Sequence, residues 1–399
     1  MHRRIVLTID VFLGVVLLAI AAVFVRNTKA ANAALSPFGD SVSLAAQSQT
    51  QLAKKVVYGF LPYWSLENAQ HIHTDKVTDI SFFALHIKKD GTFDKDESGY
   101  SSWRNSKALK DLIKGGKKQN VRFSVTVISH DDEVSDSFLA CEECWATLAA
   151  NLESELDYAG MQNVNLDFEY TGEVERTAAD RYTKFVGFLN EKLDKKYGSS
   201  FVVVSSFADA HLRNRLTIPQ ELAKVSDALF IMAYDFHRPE SEYAGPVAPI
   251  GGAGKFHEYD ITSMLADYLS NVAPSKLIMG VPYYGYNWVV EAAEANSKRI
   301  PGNDSDGYSD SQTYADVMET KLKYEPEILW DTAGQSPYFT YISNETGATR
   351  EVYFDNPDSL KIKYNLVKEK NLLGVGIWAL GYDGGYQELW EVLGKEFEL

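Results

Sequence analysis

The chain has 399 residues, with 39 Lys and Arg against 55 Asp and Glu, which gives a formal net charge of −16 at pH 7. This length can bury a sizeable core, in one large domain or in two ordinary ones. Because nucleic acids and anionic membranes attract basic surfaces, the acidic balance argues against both as partners of the folded body and favours a neutral or mildly cationic substrate.

The first 30 residues are predicted to be a targeting segment. Basic residues at positions 2–4 precede a largely apolar run, Ile5–Val25, of about 21 residues. A cleavable signal peptide usually has an apolar stretch of ~7–15 residues, whereas this run is long enough to span a bilayer. The basic N-terminus predicts a cytoplasmic start and an exported body. Small residues at 30–34 also permit cleavage, so a membrane anchor is only slightly favoured over secretion.

The rest of the chain is predicted to divide into a linker and one folded domain. We expect residues 1–27 to be the anchor or signal peptide, 28–54 to be a linker rich in Ala, Ser and Gln, and 55–399 to be the folded domain. In that domain, eight short β-branched and aromatic runs alternate with helical patterns. The runs are Val56–Phe60, Val77–Ile87, Val121–Ile128, Val164–Glu169, Phe201–Ser206, Ala228–Asp235, Leu277–Tyr284 and Gly374–Leu380.

The alternation predicts an α/β fold, a (β/α)8 TIM barrel. Several runs are almost continuously apolar, as is typical of parallel strands that are buried on both faces. A doubly wound sheet is the alternative, but no Gly-rich phosphate loop follows the first strand. The gap of about 90 residues between Tyr284 and Gly374 exceeds a crossover helix, and it predicts a small α+β insertion after the seventh strand, at approximately 288–355, that forms one wall of a cleft.

Two segments contain residue types that are found in metal or redox sites. Cys141 and Cys144, the two cysteines, stand in Cys-Glu-Glu-Cys. No thioredoxin-like pattern surrounds them and a zinc site needs two more ligands, so we expect either a local disulfide or two free thiols at a helix start. His130 begins His-Asp-Asp, which we interpret as a surface segment at a loop or strand end rather than as a set of metal ligands.

The fourth predicted strand carries the polar residues that point to chemistry. Side chains alternate between faces, so Asn165, Asp167 and Glu169 share one side, while the apolar residues between them pack outward against helices. Two carboxylates inside a barrel repel each other, and this repulsion should raise one carboxyl pKa, as a general acid requires. Glu169 comes last, at the carboxyl-terminal mouth where barrel active sites form. The alternative is a structural row of hydrogen bonds.

This strand resembles the Asp-x-Asp-x-Glu signature of glycoside hydrolase family 18, the chitinase family. Three further segments resemble family motifs in the same order: Met232–Asp235 on the sixth strand, Gly280–Gly285 on the seventh and Gly376–Asp383 on the eighth. The resemblance covers residues 55–399. It implies a TIM-barrel catalytic domain that hydrolyses β-linked N-acetylhexosamine glycans, such as chitin-like oligomers or peptidoglycan.

Three residues depart from the family pattern. Gln162 and Asn163 stand where the signature begins with Asp-Gly, and Asn165 stands where the middle Asp is expected. The Asn resembles the branch of spore-cortex lytic enzymes and other cell-wall-associated members, which shifts the expected substrate away from crystalline chitin. Its amide can donate a hydrogen bond to Asp167, but it cannot share a proton as a second carboxyl would.

The resemblance also implies a role for each matching residue. Glu169 would protonate the leaving glycosidic oxygen and later activate water, and Asp167, beside Asn165, would orient the substrate's acetamido group and stabilise the oxazolinium intermediate. Tyr234 would donate its hydroxyl to the acetamido oxygen. The expected substrate contacts are Asp235, Trp378 as the floor of the sugar subsite, Met232 packed beneath the site, and Tyr283.

The resemblance leaves alternatives open. A catalytically silent glycan-binding protein on the same fold is one, although Glu169, Asp167 and Tyr234 favour an enzyme; an unrelated barrel acting on other glycans is another. We expect a glycan as the partner, no cofactor, no metal, no nucleic acid, a monomer, and membrane contact through the N-terminal segment only.

Overall fold

The computed structural model describes residues 54–170, 172–255 and 257–399. The predicted anchor and nearly all of the predicted linker therefore lie outside the described residues. Within the described ranges, no helix combines the length and the apolar character that crossing a bilayer requires.

Eight parallel strands close into a barrel, which confirms the predicted fold. They are β1 (Val56–Pro62), β2 (Asp79–His86), β3 (Arg122–Ser129), β4 (Asn163–Phe168), β5 (Val202–Phe207), β6 (Ala228–Met232), β7 (Leu277–Pro282) and, last in the chain, β13 (Gly374–Trp378). They are hydrogen-bonded in the order β1-β13-β7-β6-β5-β4-β3-β2, and the ring closes between β1 and β2. All eight carboxyl ends consequently meet at one mouth.

Helices surround the barrel and cover its outward-facing apolar side chains. Phe168 from β4, for example, stacks on Tyr182 of the helix that follows, with 5.2 Å between ring centroids. The α-helices are α1 (Ser98–Asn105), α2 (Lys107–Lys117), α3 (Asp132–Leu139), α4 (Glu142–Ala159), α5 (Arg176–Tyr197), α6 (Pro219–Val225), α7 (Ile261–Asn271), α8 (Tyr314–Tyr324), α9 (Pro357–Glu369) and α10 (Glu388–Phe397). Two 3-10 helices span Tyr63–His71 and Pro274–Lys276.

A five-stranded antiparallel sheet between β7 and β13 forms the insertion. Its strands are β8 (Tyr284–Val289), β9 (Asp310–Thr313), β10 (Leu329–Asp331), β11 (Ser336–Ile342) and β12 (Thr349–Tyr353), and their order is β10-β11-β12-β8-β9. Helix α8 belongs to the same insertion. The sheet begins at Tyr284, because β7 leaves the barrel after Pro282, the last residue that pairs with β13.

The two cysteines are bonded to each other, the first of the two alternatives that the sequence allowed. Cys141 is the N-cap of α4, and its sulfur accepts a hydrogen bond from the backbone N–H of Cys144. The disulfide therefore lies within the first turn of one helix and joins no separate elements.

The barrel interior below the mouth is filled by an aromatic cluster. Tyr58, Phe60 and Phe230 are almost fully buried there, and the centroids of the Phe60 and Phe230 rings lie 4.8 Å apart. Gly376 makes room for this packing, since a Cβ at that position would lie 1.9 Å from Cε2 of Phe230. This aromatic plug closes the barrel interior beneath the mouth.

Candidate active site

The structure places the polar row of β4 inside the barrel. Asn165 is fully buried, Asp167 is 4% exposed, and the side chain of Glu169, just beyond the end of the strand, is one-third exposed at 33%. The backbone N–H of Glu169 donates to the carbonyl oxygen of Ser129 on β3 at 3.0 Å. This bond holds Glu169 at the mouth.

Asn165 bonds to the neighbouring strand instead of to Asp167. Its amide and the hydroxyl of Ser205 on β5 hydrogen-bond each other at 3.2–3.3 Å, and its amide nitrogen also lies 3.5 Å from the carbonyl oxygen of Val203. The Oδ1 atom of Asp167 is buried and has no hydrogen-bond partner among the described residues. One carboxylate oxygen of Asp167 is thus left unsatisfied by the protein.

The surroundings of Glu169 favour its protonated form. Burial and the carboxylate of Asp167 raise the pKa of Glu169 to about 7, although His130 and Arg238 act in the opposite direction. A carboxyl group with this pKa holds a proton near neutral pH and can release it to a bound molecule, as general acid catalysis requires.

His130 is a residue of the site that sequence reasoning missed. It is exposed and directly follows β3, which confirms the predicted surface position at a strand end, but its Nε2 atom also lies 3.6 Å from Oδ2 of Asp167 and 3.8 Å from Oε1 of Glu169. The register between β3 and β4, in which Ser129 pairs with Phe168, places the two following residues side by side. Its position directly after β3 is the sequence feature that could have predicted a place for His130 at the barrel mouth.

The opposite wall of the site comes from β6 and the insertion. Tyr234 and Asp235 follow β6, and Oδ1 of Asp235 accepts hydrogen bonds from the hydroxyls of Tyr284 and, at 2.6 Å, Tyr286. Burial and the carboxylates of Asp167 and Asp235 hold the pKa of Tyr234 well above its ordinary value, so its hydroxyl is a neutral hydrogen-bond donor. The sequence did not predict the contacts of Tyr284 and Tyr286 with Asp235, because these tyrosines lie 49 and 51 residues further along the chain.

These walls enclose a cleft of about 310 Å³ at the mouth. Trp378 forms part of its floor, held by the ring of Phe83 at a centroid distance of 4.7 Å in an edge-to-face arrangement. The predicted site residues that line the cleft are Asp167, Glu169, Met232, Tyr234, Asp235 and Trp378. The cleft therefore combines an aromatic surface, two carboxylates and a phenolic donor, which suits binding and acid–base chemistry on a sugar.

Tyr283, predicted to contact the substrate, instead lies in the outer layer. It is fully buried and its hydroxyl lies 3.2 Å from that of Tyr364 on α9. The prediction of a cleft contact is wrong because successive side chains point to opposite faces, so Tyr284 rather than Tyr283 reaches the cleft.

Comparison with known proteins decides the family. The sequence profile described as Glycosyl hydrolases family 18 matches residues 38–383. The chain belongs to this family. It is therefore a glycoside hydrolase, an enzyme that hydrolyses glycans.

Relatives within family 18 include proteins from bacteria and animals. The cortical fragment-lytic enzyme of Bacillus anthracis is 24% identical over 348 residues, covering 84% of this chain and 71% of that protein. Human di-N-acetylchitobiase is 25% identical over 322 residues, covering 76% of this chain and 77% of that protein. The crystal structure of the spore cortex-lytic enzyme SleL of Bacillus megaterium QM B1551 superposes with a TM-score of 0.69 at 19% identity, over 86% of this chain and 74% of that one, which shows a shared fold.

Proposed function

We propose that this family 18 hydrolase cleaves β-linked glycans that contain N-acetylglucosamine, with retention of anomeric configuration and with the substrate's acetamido group as the nucleophile. The observation that carries the proposal is the pairing of Asp167 and Glu169 at the mouth, opposite Tyr234. Family 18 enzymes are an exception to the usual scheme of two catalytic carboxylates, because the 2-acetamido oxygen takes the place of the protein nucleophile.

In the first step, Glu169 gives its proton to the glycosidic oxygen as the bond from that oxygen to the anomeric carbon breaks. The acetamido carbonyl oxygen forms a new bond to the same carbon, which produces a cyclic oxazolinium ion. The carboxylate of Asp167 stabilises the positive charge, and the hydroxyl of Tyr234 positions the acetamido oxygen for attack. The raised pKa of Glu169, about 7, supports its role as the acid.

In the second step, the Glu169 carboxylate accepts a proton from a water molecule. The water oxygen attacks the anomeric carbon from the side that the leaving group vacated, and the oxazolinium ring reopens to the acetamido group. Two successive inversions give net retention, and Glu169 is protonated again for the next cycle.

The remaining cleft residues are proposed to bind the sugar. Trp378 offers an aromatic face on which a pyranose ring can stack. Asp235, fixed by the hydroxyls of Tyr284 and Tyr286, can accept hydrogen bonds from sugar hydroxyls. We propose that the enzyme acts as a monomer, because one chain supplies both carboxyl groups, the phenol and the aromatic surface that the proposed reaction uses.

The proposed substrates are peptidoglycan strands or chitin-like oligomers. One relative is a cortical fragment-lytic enzyme and another is a di-N-acetylchitobiase, and this similarity supports both classes of substrate. Parallel digestion of purified peptidoglycan and of chitin oligomers, with products identified by mass spectrometry, separates the two. Products of one class assign the substrate, and an absence of products from both contradicts the proposed function.

We also propose that the N-terminal apolar run exports the hydrolase. The basic residues followed by Ile5–Val25 support this, because such a pattern directs the following chain across the membrane. When the full chain and a chain lacking residues 1–27 are expressed in bacteria, we expect only the full chain in the membrane or extracellular fraction. Equal cytoplasmic recovery of both chains contradicts this proposal.

Replacing Glu169 tests the catalytic assignment. Glu169→Gln keeps the shape of the side chain but removes the transferable proton, so we expect turnover to fall by about 10²–10⁴-fold. Oligosaccharide binding, measured by calorimetry, should stay within a few-fold of wild type. Glu173→Gln, at an exposed position four residues along, is the matched control and should keep full activity. Equal hydrolysis by wild type and Glu169→Gln contradicts the assignment.

A further inference from the structure

His130 is the third ionisable side chain at the Asp167–Glu169 pair. Its Nε2 atom lies 3.6 Å from one carboxylate and 3.8 Å from the other. The side chain is only 37% exposed, because it stands between the mouth of the barrel and the ring of Phe83, whose centroid lies 6.3 Å away. At these distances an imidazolium is attracted to both carboxylates.

Asp167 has no other charged partner at comparable distance among the described residues. The amide of Asn165 is engaged by Ser205, and Oδ1 of Asp167 has no hydrogen-bond partner within residues 54–170, 172–255 and 257–399. A carboxylate that is 4% exposed has lost most of its hydration, so it is strongly destabilised unless a cation or hydrogen-bond donors lie beside it. The imidazole of His130, on the Oδ2 side, is the group in position to offset that destabilisation.

We propose that His130 is a positioning residue for the reaction proposed above: as an imidazolium it pairs with the Asp167 carboxylate and sets the pH range over which Glu169 holds its proton. The inference rests on the proposed function, since it assigns His130 a part in that mechanism. In this arrangement the imidazolium of His130 balances the charge of the Asp167 carboxylate, which the neutral amide of Asn165 cannot do.

The charges around His130 support the imidazolium form. Burial lowers the pKa of His130, but the carboxylates of Asp167 and Glu169 outweigh burial and raise it overall. From β2, His86 also faces His130. Burial lowers the pKa of His86, against the opposing effects of Glu97 and Asp94, so His86 is neutral at neutral pH and adds no repulsion there.

The pairing has a consequence for the pH dependence of hydrolysis. The positive charges of His130 and Arg238 hold the pKa of Glu169 lower than burial and Asp167 alone would set it. Without the imidazolium, Glu169 keeps its proton to higher pH, so the basic limb of the pH–rate profile shifts to higher pH. The rate at the optimum falls at the same time, because Asp167 loses the cation that pairs with it.

The test compares the pH profiles of kcat/KM for four proteins: wild type, His130→Gln, His130→Lys and His73→Gln. We expect the basic limb of His130→Gln to move up by about one pH unit, the size typical of a charge within ~4–6 Å. His130→Lys keeps a positive charge and should stay closer to wild type. His73, 3.8 Å from Asp75 and not among the residues that line the cleft, is the matched control and should leave the profile unchanged. Coincident limbs for wild type and His130→Gln overturn the proposal.

A second measurement does not depend on activity or on the folding of a His130 variant. In NMR titrations of protein with ¹³C-labelled histidine, His130 should titrate above the ordinary histidine range in wild type, and lower in Asp167→Asn. An unshifted His130 titration in wild type overturns the pairing even if glycans are cleaved. If the titration is shifted but wild type cleaves no glycan, the pairing is supported and the proposed function fails.

Discussion

Glu169 shares the mouth of the barrel with Asp167, and the fold disfavours its charged form. Its pKa is about 7 in the folded protein, against an ordinary value of 4.5. Between these pH values the folded state binds more protons than the unfolded state, so the contribution of Glu169 to stability falls as the pH rises. The property that makes Glu169 a suitable acid therefore lowers the stability of the fold at neutral pH.

Glu169→Gln should consequently stabilise the protein in a pH-dependent way. Glutamine never ionises, so the melting temperature of the variant should be similar to wild type near pH 4 and higher than wild type at pH 8. Thermal unfolding followed by circular dichroism between these pH values measures the difference. Glu173→Gln, at an exposed position, is the control for replacing a glutamate by glutamine. A constant offset for Glu169→Gln across the range contradicts the raised pKa.

A buried ion pair joins the segment just before α9 to the middle of that helix. Nζ of Lys363 lies 2.6 Å from Oδ1 of Asp355, and the two side chains are 0% and 2% exposed. The hydroxyl of Ser359 donates to the same oxygen at 2.5 Å. Since α9 leads into β13, this pair supports the strand that carries Trp378.

Removing one partner of this pair should be costly. Lys363→Met leaves the Asp355 carboxylate buried without its cation, so we expect a loss of ~3–5 kcal/mol in the free energy of unfolding. Urea denaturation measures the loss. Lys361→Met, an exposed position on the same helix, should change stability by no more than ~0.5 kcal/mol. Similar values for the two variants would show that the buried pair contributes little.

Local patterns predicted those parts of the site that lie within single strands. The alternation along β4 placed Asn165, Asp167 and Glu169 on the interior face, because neighbouring side chains on a strand must diverge. The same reasoning failed at Tyr283, where the chain leaves the barrel after Pro282 and starts β8. Periodicity indicates which faces a strand has, but it does not locate the residue at which the strand ends.

Contacts between distant segments could not be predicted in this way. His130 meets Glu169 because β3 and β4 pair in a particular register, and Tyr286 reaches Asp235 because the insertion sheet folds over the mouth. Neither contact has a local sequence pattern, since each depends on how separate elements pack. The strand–helix alternation and the family motifs predicted the barrel and the position of Glu169 at its mouth, whereas the polar groups that surround Glu169 became visible only in the folded structure.

In the whole molecule, the ends of β4, β6 and β13 and the first insertion strand converge on one cleft above an aromatic plug. The cleft of about 310 Å³ lies above this plug, next to Glu169. The acidic net charge of −16 is compatible with a neutral or N-acetylated glycan and unfavourable for polyanions. The carboxyl groups of Glu169 and Asp167 and the ring of Trp378 thus line the same cleft.

The most direct test of the mechanism compares two matched substrates, a chitin oligomer and the same oligomer with its N-acetyl groups removed. If the acetamido oxygen is the nucleophile, the wild-type enzyme should cleave the acetylated oligomer and leave the deacetylated one intact over the same time, with products measured by mass spectrometry. Comparable cleavage of both oligomers would contradict substrate assistance, because the free amine offers no carbonyl oxygen to attack the anomeric carbon.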